Sequence, residues 1–159
     1  MKSIKKIITT EFEINKAQES WAQNIIDIGN LYTKNEDYKT RASVFVKQFY
    51  AFDVCEVLFK PTLASEKQFR YTYDDALSYF IGGSIPEDKG FALKPWKKIN
   101  FGERKIIILK ETALSMGNYF FQSIDANDVV KVEYTFGYVK DNDNNLLINL
   151  HHSSIPYTN

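Results

Sequence analysis

The sequence predicts an α+β domain in which N-terminal helices pack on one face of an antiparallel sheet. Three observations carry that reading. Apolar residues recur at three- and four-residue steps through the first half of the 159-residue chain. From Trp96 onward the period falls to two, the spacing of strands with distinct faces. The chain is also rich in aromatics, with 12 Phe, 10 Tyr and 2 Trp, side chains that bury large areas and favour strands.

Thr10 and Glu13 form a T-x-x-E capping box that starts the first helix. Ile14, Ala17, Trp21, Ile25, Ile28 and Tyr32 then make one apolar stripe over about six turns. Gly29, inside that stripe, marks close packing against another element. After the polar break Lys34-Asn35-Glu36-Asp37, a second stripe at Tyr38, Ala42, Phe45 and Phe49 predicts a second helix ending near Ala51. Val54 to Phe59 reads as a short strand stopped by Pro61. Thr72 caps a third helix carrying Ala76, Leu77, Phe80 and Ile81, and Gly82 stops it. Gly83 to Pro95 is a long loop of the kind that covers a site. Strands follow at Lys97 to Phe101, Lys105 to Leu109, Ala113 to Gln122, Val129 to Lys140 and Leu146 to Ser154. The turns between them are rich in Asp and Asn.

With no repeat, Pro-rich linker or charge block, residues 1–159 read as a single domain, with 1–10 a loose N-terminal segment. Twenty basic and twenty acidic side chains give zero net charge, which argues against a nucleic-acid partner or a polybasic membrane anchor. The longest apolar run, Ile106 to Leu109, is too short to span a bilayer. Met1 to Ile8 has a charged start but no apolar stretch behind it, so a cytoplasmic location is expected. The single cysteine, Cys55, excludes an internal disulfide and any multi-cysteine zinc site, and reads as a small buried hydrophobe.

Motif look-alikes fail. Asp141-x-Asp143-x-Asn145 begins like a calcium loop, but Leu146 and His152 stand where Gly and the bidentate Glu belong. Phosphate-cradling, dinucleotide and nucleophile-elbow motifs are missing, so no cofactor and no metal are expected. In the last strand, alternation puts Leu146, Ile148, Leu150, His152 and Ser154 on one face, and Asn149, His151 and Ser153 on the other. His152 thus continues the apolar face and enters the interior, as a hydrogen-bonded core histidine or as a pocket group. In the strand before it, Val130, Val132, Tyr134, Phe136 and Tyr138 oppose Lys131, Glu133 and Thr135. Either the aromatics make the core and Glu133 is solvated, or the aromatics meet another subunit and Glu133 lines a cavity. Composition favours the first arrangement. Asp53, Lys60, Arg70, Trp96, Tyr119, Glu133 and His152 are polar residues set beside aromatics and make a candidate cavity lining.

The order helix, helix, short strand, short helix, then sheet resembles the nuclear-transport-factor-2-like (SnoaL-like) cone, a cystatin-like fold with a curved antiparallel sheet. The C-terminal half is similar to the association domain of calcium/calmodulin-dependent protein kinase II and its stand-alone bacterial relatives. Ile107 to Leu114, Val132-Glu133-Tyr134-Thr135 and above all Asn149 to Pro156 carry that likeness. The resemblance implies a concave pocket and a convex face that packs on another subunit. It places Tyr119, Thr135 and His152 where the kinase hub has pocket arginines, turns Glu133 and Thr135 inward, and puts Tyr134, Phe136 and Tyr138 at an interface. Those arginines are missing here, so a carboxylate held by an arginine cluster does not carry over.

The expected function is an oligomerising module that binds a small molecule of unknown identity. The alternative is a small SnoaL-like isomerase, dehydratase or hydrolase, in which Glu133 abstracts a proton and His152 polarises the acceptor, helped by Tyr119.

Overall fold

Local signals set the helices. A computed structural model describes residues 9–159. Of the N-terminal segment expected to be loose, 1–8 lie outside the described residues; Thr9 is buried and Thr10 caps helix α1, Glu11–Thr33. The predicted capping box is present: Thr10 Oγ1 accepts the Glu13 N–H, and the Glu13 carboxylate accepts the Thr10 N–H. Ile14, Trp21, Ile25 and Ile28 form the buried face, whereas Tyr32 at the end of the stripe is exposed. Gly29 does mark a close approach, because a Cβ there would lie 2.7 Å from the Ala92 carbonyl oxygen. Asp37 caps α2, Tyr38–Phe49. Thr72 caps α3, Tyr73–Ile81, which Gly82 ends at φ 76°. The predicted loop after it contains a short 3₁₀ turn, Phe91–Leu93.

The expected strand over 54–59 contracts to β1, Leu58–Lys60. The two strands expected between 97 and 109 are one, β2, Trp96–Ile108. It carries a bulge between Phe101 and Arg104, opposite Gly117 of β3, Ala113–Ser123. A Cβ on Gly117 would meet the Glu103 carbonyl oxygen at 2.5 Å, so glycine is what lets the bulged strand lie against β3 and bend. Strands β4, Val129–Lys140, and β5, Leu146–Ser154, have the predicted bounds.

The sheet order is β1-β5-β4-β3-β2. It is mixed rather than wholly antiparallel, because β1 pairs parallel to β5. A parallel pair needs a long crossover, and here most of the chain intervenes, so local periodicity carried no sign of it. The core lies between the helices and the inner face of the curved sheet, where Trp21, Phe45, Phe80, Phe121 and Phe136 meet. Cys55 is half-buried against this core, and burial pushes its thiol up. No helix among the described residues is long and apolar enough to cross a membrane.

Candidate active site

One inserted residue decides which side chains of β5 reach the interior. Tyr138 pairs with Ile148 but Gly137 pairs with Leu150, leaving Asn149 as the extra residue of a bulge. A shift of one residue exchanges the two faces of a strand. Beyond the bulge, His151 and Ser153 therefore point inward, and His152 is exposed on the outer face.

His151 is 3% exposed. Its imidazole lies between the rings of Phe59 and Phe136, 4.9 and 4.2 Å away. Burial among these rings is the main cause that lowers its pKa to about 3, with a smaller contribution from His152, so at neutral pH the ring is uncharged. Both ring nitrogens are nonetheless partnered. Tyr50 Oη lies 2.9 Å from Nδ1 and Tyr119 Oη lies 3.1 Å from Nε2. Trp21 Nε1 donates to Tyr50 Oη at 3.2 Å. On the other side, Tyr119 Oη lies 2.5 Å from Ser153 Oγ, which lies 2.5 Å from Thr62 Oγ1. Burial pushes the Tyr50 and Tyr119 phenols above their ordinary value, so both stay protonated. Thr62 follows β1, Tyr79 and Phe80 come from α3, and Tyr119 comes from β3; the fold gathers them around one end of β5.

Tyr119, Ser153, Thr62, Tyr79 and His151 line a niche of about 10 Å³, room for about one water-sized molecule. Tyr79 and Phe91, stacked 5.4 Å apart, separate this niche from a cavity of about 610 Å³ that reaches Lys89, Lys94 and Trp96. The niche lining carries no ionised side chain. Among the described residues, no three His, Cys, Asp or Glu side chains converge as metal ligands do.

His151 also links pH to stability. Its folded pKa of about 3 lies below the ordinary 6.5, so the unfolded chain takes up the proton first. The contribution is intact above about pH 6.5 and is lost as pH falls toward 3, at up to about 1.4 kcal/mol per unit. Between pH 7 and pH 5 this term is expected to remove about 2 kcal/mol. Urea unfolding at both pH values should therefore show a smaller drop in His151→Phe than in the wild type. Equal drops would remove His151 from the linkage.

The residues expected from sequence are placed as follows. Tyr119 lies in the niche and Trp96 lines the outer cavity, its indole N–H donating to the Phe91 carbonyl. Glu133, Thr135 and His152 do come together, but on the outer face. Thr135 pairs across strands with His152, and Glu133 accepts a hydrogen bond from Ser154. The expected Glu133 and His152 acid–base pair is thus outside the cone, displaced by the Asn149 bulge. Tyr134, Phe136 and Tyr138 are buried within the protomer, which corrects their expected place at a subunit interface. Arg70 is no ligand group, because its five N–H donors are all committed within the protein. Lys60 donates to the Ser153 carbonyl, and Asp53 is an exposed turn residue. Sequence reading missed His151, Ser153, Thr62, Tyr50 and Tyr79. The one signal for the first two was Gly137, since an isolated glycine in a strand marks a bulge or a close approach.

The fold is that of the nuclear-transport-factor-2-like cone. Its likeness to a ketosteroid isomerase-like protein from Parabacteroides distasonis (19% identity, 72% of this chain and 75% of that one, TM-score 0.51) and to an NTF2-like protein from Streptomyces avermitilis (11%, 92% and 97%, 0.55) shows that fold. The model of the metal-independent carbonic anhydrases matches residues 12–155. A metal-independent carbonic anhydrase from Nostoc sp. strain PCC 7120 is 37% identical over 153 residues, 93% of this chain and 74% of that protein. The iota-carbonic anhydrase from a cyanobacterium, in complex with bicarbonate, superposes with a TM-score of 0.90 at 35% identity, over 96% of this chain and 95% of the other. The chain belongs to the metal-independent carbonic anhydrase family. That membership overturns the expected binding module of unknown ligand and favours the enzyme alternative. The narrower likeness to the kinase association domain is not shown by these matches.

Proposed function

We propose that this chain is a carbonic anhydrase that interconverts carbon dioxide and bicarbonate at the Tyr119–Ser153–Thr62 hydroxyl niche, which holds the water while carbon dioxide meets it from the side of the outer cavity. The observation that carries the reading is the niche itself: a small, buried, uncharged site lined by convergent hydroxyls, in a chain of this family. In hydration, a water oxygen bonds to the carbon, one C=O electron pair moves onto oxygen, and the water releases a proton. The site must therefore donate to the developing oxyanion and accept from the water. A hydroxyl does both, because it has one donor hydrogen and two acceptor lone pairs. Donors fixed in a dry site and aimed at developing charge are the strongest contribution such a pocket makes. Phe59 and Phe136 keep the surroundings apolar, and the outer cavity behind Tyr79 and Phe91 is the way in and out.

Stopped-flow CO₂ hydration with a pH indicator tests the reading. The purified protein, dialysed against a strong chelator, is expected to accelerate hydration above the buffer rate. Hydration at the buffer rate at micromolar protein would overturn it.

A further inference from the structure

We infer that Tyr50, held by Trp21, locks His151 in the Nε2–H tautomer, and that this tautomer leaves the niche with one spare hydroxyl proton to give to a substrate oxygen. The inference rests on the carbonic anhydrase reading only for the identity of that substrate.

Among the described residues, Tyr50 Oη has two hydrogen-bond partners, Trp21 Nε1 and His151 Nδ1. An indole N–H only donates. Tyr50 Oη therefore accepts from Trp21, and its own buried proton has one destination, His151 Nδ1. With Nδ1 an acceptor and the imidazole neutral, the ring proton sits on Nε2 and is donated to Tyr119 Oη. Tyr119 must then turn its own proton away from the ring. Tyr119, Ser153 and Thr62 now hold three hydroxyl protons but share two hydrogen bonds; Tyr79 Oη, which accepts from the Leu63 N–H and also meets Thr62, adds one proton and one such contact and leaves the balance unchanged. One proton is left over, and all three hydroxyls line the niche.

The opposite tautomer gives the opposite site. With the proton on Nδ1, Tyr50 would receive two donors and its own O–H would be buried without an acceptor, at the cost of an unmade hydrogen bond. Tyr119 would give its proton to Nε2. Two hydroxyl protons would then serve two hydrogen bonds, with none spare. Tyr50 and Trp21 are thus positioning residues: neither touches the substrate, yet together they decide whether the niche donates.

Nitrogen-15 NMR of the labelled full-length protein at pH 7 tests this directly. The chain has only two histidines, and His152→Gln assigns them. Long-range proton–nitrogen correlation is expected to show an unprotonated, imine-type Nδ1 and a protonated, pyrrole-type Nε2 for His151. A reversed pattern, an averaged pattern or two protonated nitrogens would overturn the lock. In Tyr50→Phe the Nδ1 signal is expected to move from the imine-type position toward the averaged one as the competent tautomer loses population, and kcat/KM for CO₂ hydration to fall about two- to five-fold. An unmoved Nδ1 signal would remove Tyr50 as its donor, and an unchanged kcat/KM would remove the lock from the reaction. A wild type with the expected tautomer but no hydration activity would defeat the carbonic anhydrase reading and leave the proton count standing.

Discussion

Replacing Ser153 with alanine is expected to lower kcat/KM for CO₂ hydration by about 10²–10³-fold, the usual loss when one donor of a preorganised site is removed. Ser153 is the middle member of the hydroxyl group, within 2.5 Å of both Tyr119 Oη and Thr62 Oγ1. Its removal breaks both hydrogen bonds at once and leaves the two outer hydroxyls to orient independently. The substitution adds no bulk, so the fold should persist by circular dichroism, with a stability loss of about 1–3 kcal/mol for the two orphaned partners. The measurement is stopped-flow hydration on the folded variant. A drop of less than about three-fold would place the chemistry elsewhere.

Arg70→Met is expected to destabilise the protein by about 3–5 kcal/mol, through the charge it leaves behind. Arg70 is fully buried, and its fork grips both oxygens of Asp88 at 2.7 and 2.8 Å. Its remaining donors reach the Lys67 and Asp75 carbonyls and Glu87. The hydrogen bonds to Asp88 are the first cause that raises the guanidinium pKa, opposed by its burial. Without the arginine, Asp88 keeps Ser78 as its hydrogen-bond partner in a site where its side chain is 1% exposed. Glu87 next door is held down at about 2, chiefly by the backbone N–H groups of Glu66, Ser65 and Lys67. Together these contacts tie the segment that begins at Thr62 to the loop bordering the outer cavity. Urea denaturation of the variant tests the figure; a change below about 1 kcal/mol would show that the loops rearrange to solvate Asp88. Arg70→Lys should recover little, since an ammonium cannot reproduce the two-pronged grip.

What was legible in the sequence was local. Thr10 with Glu13, Asp37, and Thr72 with Gly82 mark helix ends through hydrogen bonds that reach only a few residues, and the helices begin and end at or near them. The bounds of β4 and β5 follow from period-two patterning between polar turns. The parallel seat of β1 beside β5 was not legible, because it joins Leu58 to Leu150 across most of the chain. For the site, Tyr119 was found because it stands among aromatics on a regular strand. The expected interior histidine lies one position beyond the observed one. Alternation carried past Gly137 selects His152, whereas the bulge opposite that glycine selects His151. The likeness turns Glu133 inward, whereas composition favours the Tyr134 stripe in the core, where it lies. Tyr50, Thr62 and Tyr79 come from three separate elements, and no spacing connects them.

Asn149 works like a frame marker in a message. The five residues after it are read in one phase, and His151 and Ser153 become the interior text while His152 and Ser154 become the exterior. Without that one residue the same letters would be read in the other phase, and every inner side chain would trade places with an outer one. The site's chemistry thus hangs on a position that contributes no atom to the niche. A change in the length of this strand would rewrite the pocket more completely than any single exchange of side chain within it.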